Sequence, residues 1–160
     1  MSSNTATTTT QAIVRDYFRC RLISQTPTQN RLFLLVRQIG YECERAFASQ
    51  QPLVRFHFST STLMEHRTIH YEIGKELFRD GTITWTRIIT FISFSALLAE
   101  RVLEEQRQNR ELIIASFIEW TTNFIETDLR AWLVNEGDWV SDSMTENGDG
   151  RKYISSRLAV

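Results

Sequence analysis

Proline is scarce in this sequence. Only two prolines, Pro27 and Pro52, occur among its 160 residues, and proline inside a helix or a central strand disrupts that element. Apolar residues recur at intervals of three and four along most of the chain, which is the spacing of one face of an α-helix. The sequence therefore predicts an all-α protein.

A cysteine framework and a charge imbalance are also missing. Cys20 and Cys43 are isolated thiols without metal-ligand spacing, so the sequence indicates neither a disulfide framework nor a zinc site, and a reducing interior compartment fits. We expect both thiols to be small core residues. The 18 Lys and Arg residues nearly balance the 19 Asp and Glu residues, which gives no general attraction to nucleic acid.

The sequence shows neither a signal-peptide pattern nor an apolar run long enough to span a bilayer. Residues 1–10 are polar and lack the basic and apolar regions of a signal peptide, so we expect a disordered tail there. The strongest apolar stretch, residues 83–99, contains Arg87 and several threonines and falls short of the roughly 20 apolar residues that a spanning helix requires. Residues 148–160 are predicted to form a C-terminal tail without a membrane anchor. The chain as it stands is therefore expected to be cytoplasmic.

Residues 11–147 are predicted to form a single helical domain, because apolar stripes recur throughout this range. The fourth and fifth predicted helices form a hairpin that is too apolar to be solvated, so we expect the amphipathic helices to wrap it. Residues 50–58 carry no clear pattern. The first predicted helix covers about residues 11–24 and the second runs from about 32 to 49. The third lies between N-cap candidates at 59–62 and a turn at Asp80 and Gly81, and the fourth covers about 84–105. A returning helix follows a polar turn at 104–111, and two short helices near 128–135 and 138–146 come last.

Four segments resemble the homology regions of the Bcl-2 family of apoptosis regulators. Residues 76–81 read ELFRDG and are followed by TITWTR, which is similar to the family's first region, ELFRDG followed by NWGR. Residues 132–139 read WLVNEGDW and resemble the second region, with two tryptophans seven residues apart around a glycine turn. Residues 13–22, IVRDYFRCRL, are similar to the fourth region, and residues 36–42, VRQIGYE, to a degenerate third region. The resemblance covers about residues 11–140.

Three residues depart from the family's pattern. Thr84 and Thr86 stand where NWGR has its asparagine and glycine, and Tyr41 replaces the acidic residue that follows the glycine of the third region. The third region therefore lacks its charge partner. This argues against the chain's own helix being a strong ligand for other family members.

The resemblance implies a non-enzymatic protein without a cofactor. It implies a groove, formed by the second to fifth helices, that receives an amphipathic third-region (BH3) helix from a pro-apoptotic relative, which is helix-in-groove recognition. In that groove Arg87 is expected to pair with the ligand's aspartate. The groove residues implied by position are Cys43, Phe47, Val54, Ile73, Leu77, Thr84, Arg87, Ile89, Thr90 and Phe94.

Three functions are open at this point. The ELFRDG form of the first region, the recognisable fourth region and Tyr41 favour a pro-survival regulator that sequesters BH3 helices. A pore-forming effector of the same fold would expose its own third region and insert its hairpin, residues 83–125, into the outer mitochondrial membrane.

The resemblance implies that the full-length protein lies on that membrane or the endoplasmic reticulum, through an anchor outside this chain.

The third function is an α-helical enzyme or metal protein. His66 and His70 lie four residues apart on a predicted helix, a spacing that can place two imidazoles on one metal. The sequence offers no evident third ligand and no recognisable nucleophile and base. We therefore expect two exposed histidines and no metal site.

Overall fold

The computed structural model describes residues 2–48, 62–136 and 139, with the side chains of residues 9–47, 62–136 and 139. Every regular element in these ranges is an α-helix, which confirms the predicted all-α fold. The helices of this part are α1 (Ser2–Leu22), α2 (Arg31–Ala48), α3 (Leu63–Leu77), α4 (Trp85–Glu105), α5 (Arg110–Asp128) and α6 (Arg130–Glu136).

Threonine side chains cap two of the helices. The hydroxyl of Thr62 accepts a hydrogen bond from the N–H of Glu65 at 3.3 Å, and the Glu65 carboxylate accepts one from the N–H of Thr62 at 3.0 Å. This reciprocal pair is a capping box at the start of α3. Thr84 caps α4 by accepting from the N–H of Arg87 at 3.1 Å. Gly81, in the turn between α3 and α4, has a φ of +77°. The predicted N-cap before α3 and the predicted turn at Gly81 are therefore confirmed.

The apolar helix α4 is the centre of the bundle. It contacts α1, α2, α3 and α5, and Ile88, Phe91 and Ile92 on it have no exposed surface. Burying such a side chain contributes roughly 1.5–3 kcal/mol, so a helix that is apolar on most sides is stable only when others enclose it. The returning helix α5 packs along α4, which gives the predicted hairpin.

The first helix starts earlier than the sequence predicts. It begins at Ser2 and not near residue 11. Thr10 is fully buried, and its hydroxyl accepts a hydrogen bond from the indole N–H of Trp139 at 2.9 Å. Threonine has only a modest helix propensity, and this contact joins α1 to a residue far away in the sequence.

The two cysteines differ in their surroundings. Cys43 is buried, as predicted, whereas the prediction for Cys20 is wrong, since its side chain is only half-buried. Tyr17 and Phe18 on α1 are buried beside it, which places Cys20 at the edge of the buried face of that helix.

Several predictions lie outside the described residues. These are the piece at 50–58, with Val54, the last short helix at 138–146 apart from Trp139, and the tail at 148–160. Within the described part, none of the helices combines the length and the apolar character needed to cross a membrane.

Candidate functional site

Arg87 lies in the first turn of α4 with its charge already paired. Its Nη1 donates to Oδ1 of Asp80 at 2.5 Å, and its Nη2 donates to Oδ2 at 2.9 Å. Nη1 also donates to the backbone oxygen of Thr82 at 2.7 Å. The Arg87 side chain is only 5% exposed, against 38% for Asp80. A buried guanidinium is thus held by a two-pronged carboxylate contact, a strong form of ion pair.

The turn after α3 creates this pair. Helix α3 ends at Leu77, and the chain turns at Gly81, whose positive φ a side chain would disfavour. Oδ1 of Asp80 also accepts from the N–H of Thr82 at 3.0 Å, so the carboxylate is hydrogen-bonded to the turn as well as to Arg87. Thr84 then caps α4 and orients its first turn, so the departure from asparagine at this position preserves the cap.

Three tryptophans meet at the same end of α4. The ring of Trp85 packs edge-on against Trp132 on α6, with centroids 4.9 Å apart, and packs at a tilt against Trp139, with centroids 4.7 Å apart. Offset and edge-to-face aromatic pairs of this kind add about 0.5–1.5 kcal/mol each beyond their buried area. The segments that resemble the first and second homology regions are therefore in direct contact.

Comparison with known proteins identifies a family that matches the segments in contact here. Residues 36–139, more than half of the chain, match the family model for apoptosis regulator proteins of the Bcl-2 family. The chain belongs to the Bcl-2 family. Its predicted family and fold are thus confirmed.

Two relatives of this Bcl-2 family chain are both named as apoptosis regulators. It is 27% identical over 150 residues to Apoptosis regulator R1 of Xenopus laevis, covering 88% of this chain and 62% of that protein. It is 20% identical over 117 residues to Apoptosis regulator BAX of Bos taurus, covering 73% of this chain and 57% of that protein. The chain therefore spans about three fifths of the length of these relatives.

Solved structures share the fold at low sequence identity. The crystal structure of the zebrafish pro-survival protein NRZ in complex with the Bad BH3 matches with a TM-score of 0.76 at 18% identity, covering 91% of this chain and 97% of that chain. Chicken BOK matches with a TM-score of 0.66 at 18% identity, covering 89% and 98%. At this identity the likeness concerns the fold alone.

The predicted groove residues of this Bcl-2 family member fall into two layers. Phe47, Ile73, Leu77 and Phe94 are half-buried. Ile73, Leu77 and Phe94 pack against the core, and Phe47 packs edge-on against Phe94 with centroids 4.9 Å apart. These side chains keep surface that a ligand can contact. Thr84 is half-buried at the cap, and Val54 lies outside the described residues.

The other predicted wall residues are buried beneath that layer. Cys43 and Ile89 have no exposed surface, and Thr90 is 6% exposed. The Thr90 hydroxyl donates to the backbone oxygen of Thr86 at 2.8 Å and lies 3.3 Å from the Cys43 sulfur. Burial raises the pKa of the Cys43 thiol to about 11. In this conformation the three are core residues, and their contact with a ligand stays a prediction.

A second polar cluster, which the sequence did not indicate, joins α1, α2 and α4. Tyr17 donates to Oε2 of Glu44, whose Oε1 accepts from Nε of Arg21 at 2.7 Å. Arg21 also pairs with Glu100 on α4. A surface cavity of about 1100 Å³ lies beside this cluster and is not lined by Arg87. Gly40 is the sequence feature related to this cluster, because a Cβ at that position would lie 2.4 Å from the Tyr17 ring.

The two histidines on α3 are buried, so the prediction that they are exposed is wrong. His66 and His70 are each 2% exposed. Nε2 of His70 lies 2.9 Å from the Ser95 hydroxyl and 3.1 Å from the Thr121 hydroxyl, and burial lowers its pKa to about 4. These hydroxyls, from α4 and α5, make an inward-facing imidazole tolerable. In the described part of the chain, no group of three or more potential ligands is placed to hold a metal ion.

Proposed function

We propose that this Bcl-2 family member is a pro-survival regulator that binds BH3 helices of pro-apoptotic relatives in a groove beside α2, α3 and α4. The observation that carries the proposal is the guanidinium of Arg87, buried at the start of α4 and paired with a carboxylate. A ligand aspartate has the same chemistry as Asp80, so this site is suited to accept one. The Bad BH3 bound to the zebrafish pro-survival protein NRZ supports a partner of this kind.

The packing of α3 supports an apolar groove wall. His66, His70 and Gly74 form its innermost face, and the stripe of Ile69, Ile73 and Leu77 remains only half-buried. A helix that directs its polar and small residues inward leaves its apolar stripe at the surface. Such a stripe provides anchor sites for the apolar face of a partner helix.

Order-of-magnitude free energies are sufficient for such binding. Four ligand anchors at roughly 1.5–3 kcal/mol each contribute about 6–12 kcal/mol. Ordering the peptide takes back on the order of 2–5 kcal/mol. The remainder is about 1–10 kcal/mol, and its upper end corresponds to dissociation constants from the micromolar range down to tens of nanomolar.

The state of α2 supports the receptor role over the ligand role. Val36, Ile39 and Cys43 on its third-region stripe are buried, and Glu44 is held by Tyr17 and Arg21. Tyr41, at the position where the family has an acid, is 60% exposed. The helix would have to leave the bundle to act as a ligand, and it would then lack the charge that an arginine partner recognises.

A pore-forming effector is the second candidate, because relatives include BAX of Bos taurus. Dye release from liposomes separates the two functions. The pro-survival proposal expects no release by this chain with a BH3 peptide, and inhibition of release by a known effector. Release by the chain itself would contradict the proposal and favour the effector.

We also propose that the protein acts without a cofactor or enzymatic activity, at the mitochondrial outer membrane or the endoplasmic reticulum. Its family membership supports this location. Fractionation of cells that express the protein tests the location, and recovery from neither membrane would contradict it.

A further inference from the structure

We propose that Asp80 is an internal competitor for the ligand's aspartate and sets how strongly the groove selects ligands that carry one. This inference rests on the proposed function, because it requires that a BH3 helix reaches Arg87. It concerns a residue whose role in ligand choice the family resemblance did not assign.

The competition follows from the donors that Asp80 occupies. Guanidinium groups bind carboxylates best through two nitrogens at once. In this structure both terminal nitrogens of Arg87 donate to Asp80, and the second hydrogen of Nη1 goes to the Thr82 oxygen. A ligand carboxylate that takes the same pair of nitrogens must therefore displace Asp80.

The two partners differ in how easily they can separate. The Asp80 side chain is 38% exposed, so its carboxylate can return to water, whereas Arg87 is 5% exposed and fixed in α4. Asp80 lies in the turn beside Gly81, around which a Cβ would find no atom within 4 Å. The turn thus has room to move while the arginine stays in place.

Ligand binding is then an exchange of one carboxylate for another. The gain from the ligand's aspartate is smaller than it would be at an arginine without an internal partner, because the bond to Asp80 is lost. The wild-type groove should therefore distinguish only weakly between a BH3 peptide with its aspartate and the same peptide with asparagine.

The substitution Asp80→Asn tests this inference. Asparagine keeps an acceptor for the Thr82 N–H, which Asp80 bonds at 3.0 Å, but removes the charge that holds Arg87. Glu76→Gln is the matched control, since that carboxylate is 72% exposed, lies near the same turn and pairs with Arg79. Asp80→Ser is a second variant that also retains an acceptor, and circular dichroism confirms that each variant is folded.

The measurement is calorimetric titration of each protein with BH3 peptides, including the Bad BH3, in aspartate and asparagine forms. We take the ratio of the dissociation constant of the asparagine form to that of the aspartate form. This ratio is expected to rise at least about tenfold in Asp80→Asn and Asp80→Ser, the low end of couplings between close charge pairs. It should not change in Glu76→Gln.

An unchanged ratio in both Asp80 variants would overturn the inference. A smaller ratio would also overturn it, because Asp80 would then be orienting Arg87 for the ligand. Both results leave the proposed function intact, since the peptides still bind. In this titration, the failure of every peptide to bind the wild-type protein is the result that would contradict the proposed function, and this inference with it.

Discussion

Arg21 on α1 donates its Nε–H to Oε1 of Glu44 on α2 at 2.7 Å. This contact joins the helix similar to the fourth homology region to the helix similar to the third. Glu44 is only 7% exposed, and burial raises its pKa against the opposing effect of hydrogen bonds from Tyr17 and Arg21. An unpaired charge at this depth would be costly, so α1 supplies the donors that allow α2 to pack here.

Removing this donor should destabilise the bundle. Arg21→Ala leaves the Glu44 carboxylate with fewer donors, and we expect a loss of about 1–3 kcal/mol in the free energy of unfolding. That is less than for a fully buried pair, because the Arg21 side chain is 30% exposed. Urea unfolding measures the change, and Arg19→Ala, at an exposed position of the same helix, should stay within about 0.5 kcal/mol. Equal effects of the two substitutions would contradict the role of the pair.

A methyl group at Gly40 should disturb the same interface. The added Cβ would lie 2.4 Å from the Tyr17 ring, and that ring is 3% exposed and bonded to Glu44. Gly40→Ala should therefore destabilise the protein by about 1–3 kcal/mol, although alanine is the better helix former. Thermal unfolding measures it, with Gln38→Ala at an exposed position of α2 as control. A Gly40→Ala protein as stable as the wild type would show that Tyr17 can move aside without loss.

Stability should fall in mild acid because of His70. Burial lowers the pKa of His70 to about 4 from its ordinary value of 6.5, so between these pH values the unfolded chain binds a proton that the folded chain does not. Stability from this group is complete above about pH 6.5 and decreases as the pH falls toward 4, by on the order of 3 kcal/mol. Urea unfolding at several pH values tests this in wild type and His70→Gln. A variant with the same slope as the wild type would contradict the assignment to His70.

Local pattern was sufficient where one helix face settles the outcome. Val36, Ile39 and Cys43 recur at the spacing of one helix face, and all three are buried. Gly81 was predicted in a turn and has a positive φ. These positions depend on neighbours within one or two helical turns, which the sequence displays directly.

Local pattern failed where the partner lies on another helix. The sequence predicts that His66 and His70 are exposed, yet both are buried, and His70 is received by the hydroxyls of Ser95 and Thr121. The motif also identifies Arg87 as a charge partner but not that Asp80, in the turn just before α4, already occupies it. Hydroxyls from other helices and a carboxylate from a turn leave no periodic signal, so these features required the structure.

The central claim is that this protein binds a BH3 helix with Arg87 as the polar anchor. Calorimetric titration with a panel of BH3 peptides tests it most directly. We expect at least one peptide to bind with a micromolar to nanomolar dissociation constant, and Arg87→Ala to weaken it at least tenfold, about 1.4 kcal/mol, because the ligand's aspartate would then face Asp80 without a cation. Arg79→Ala, at a side chain that is 79% exposed, should leave the affinity unchanged. Binding by none of the peptides would contradict the groove, and equal affinities of the wild type and a folded Arg87→Ala would contradict the anchor.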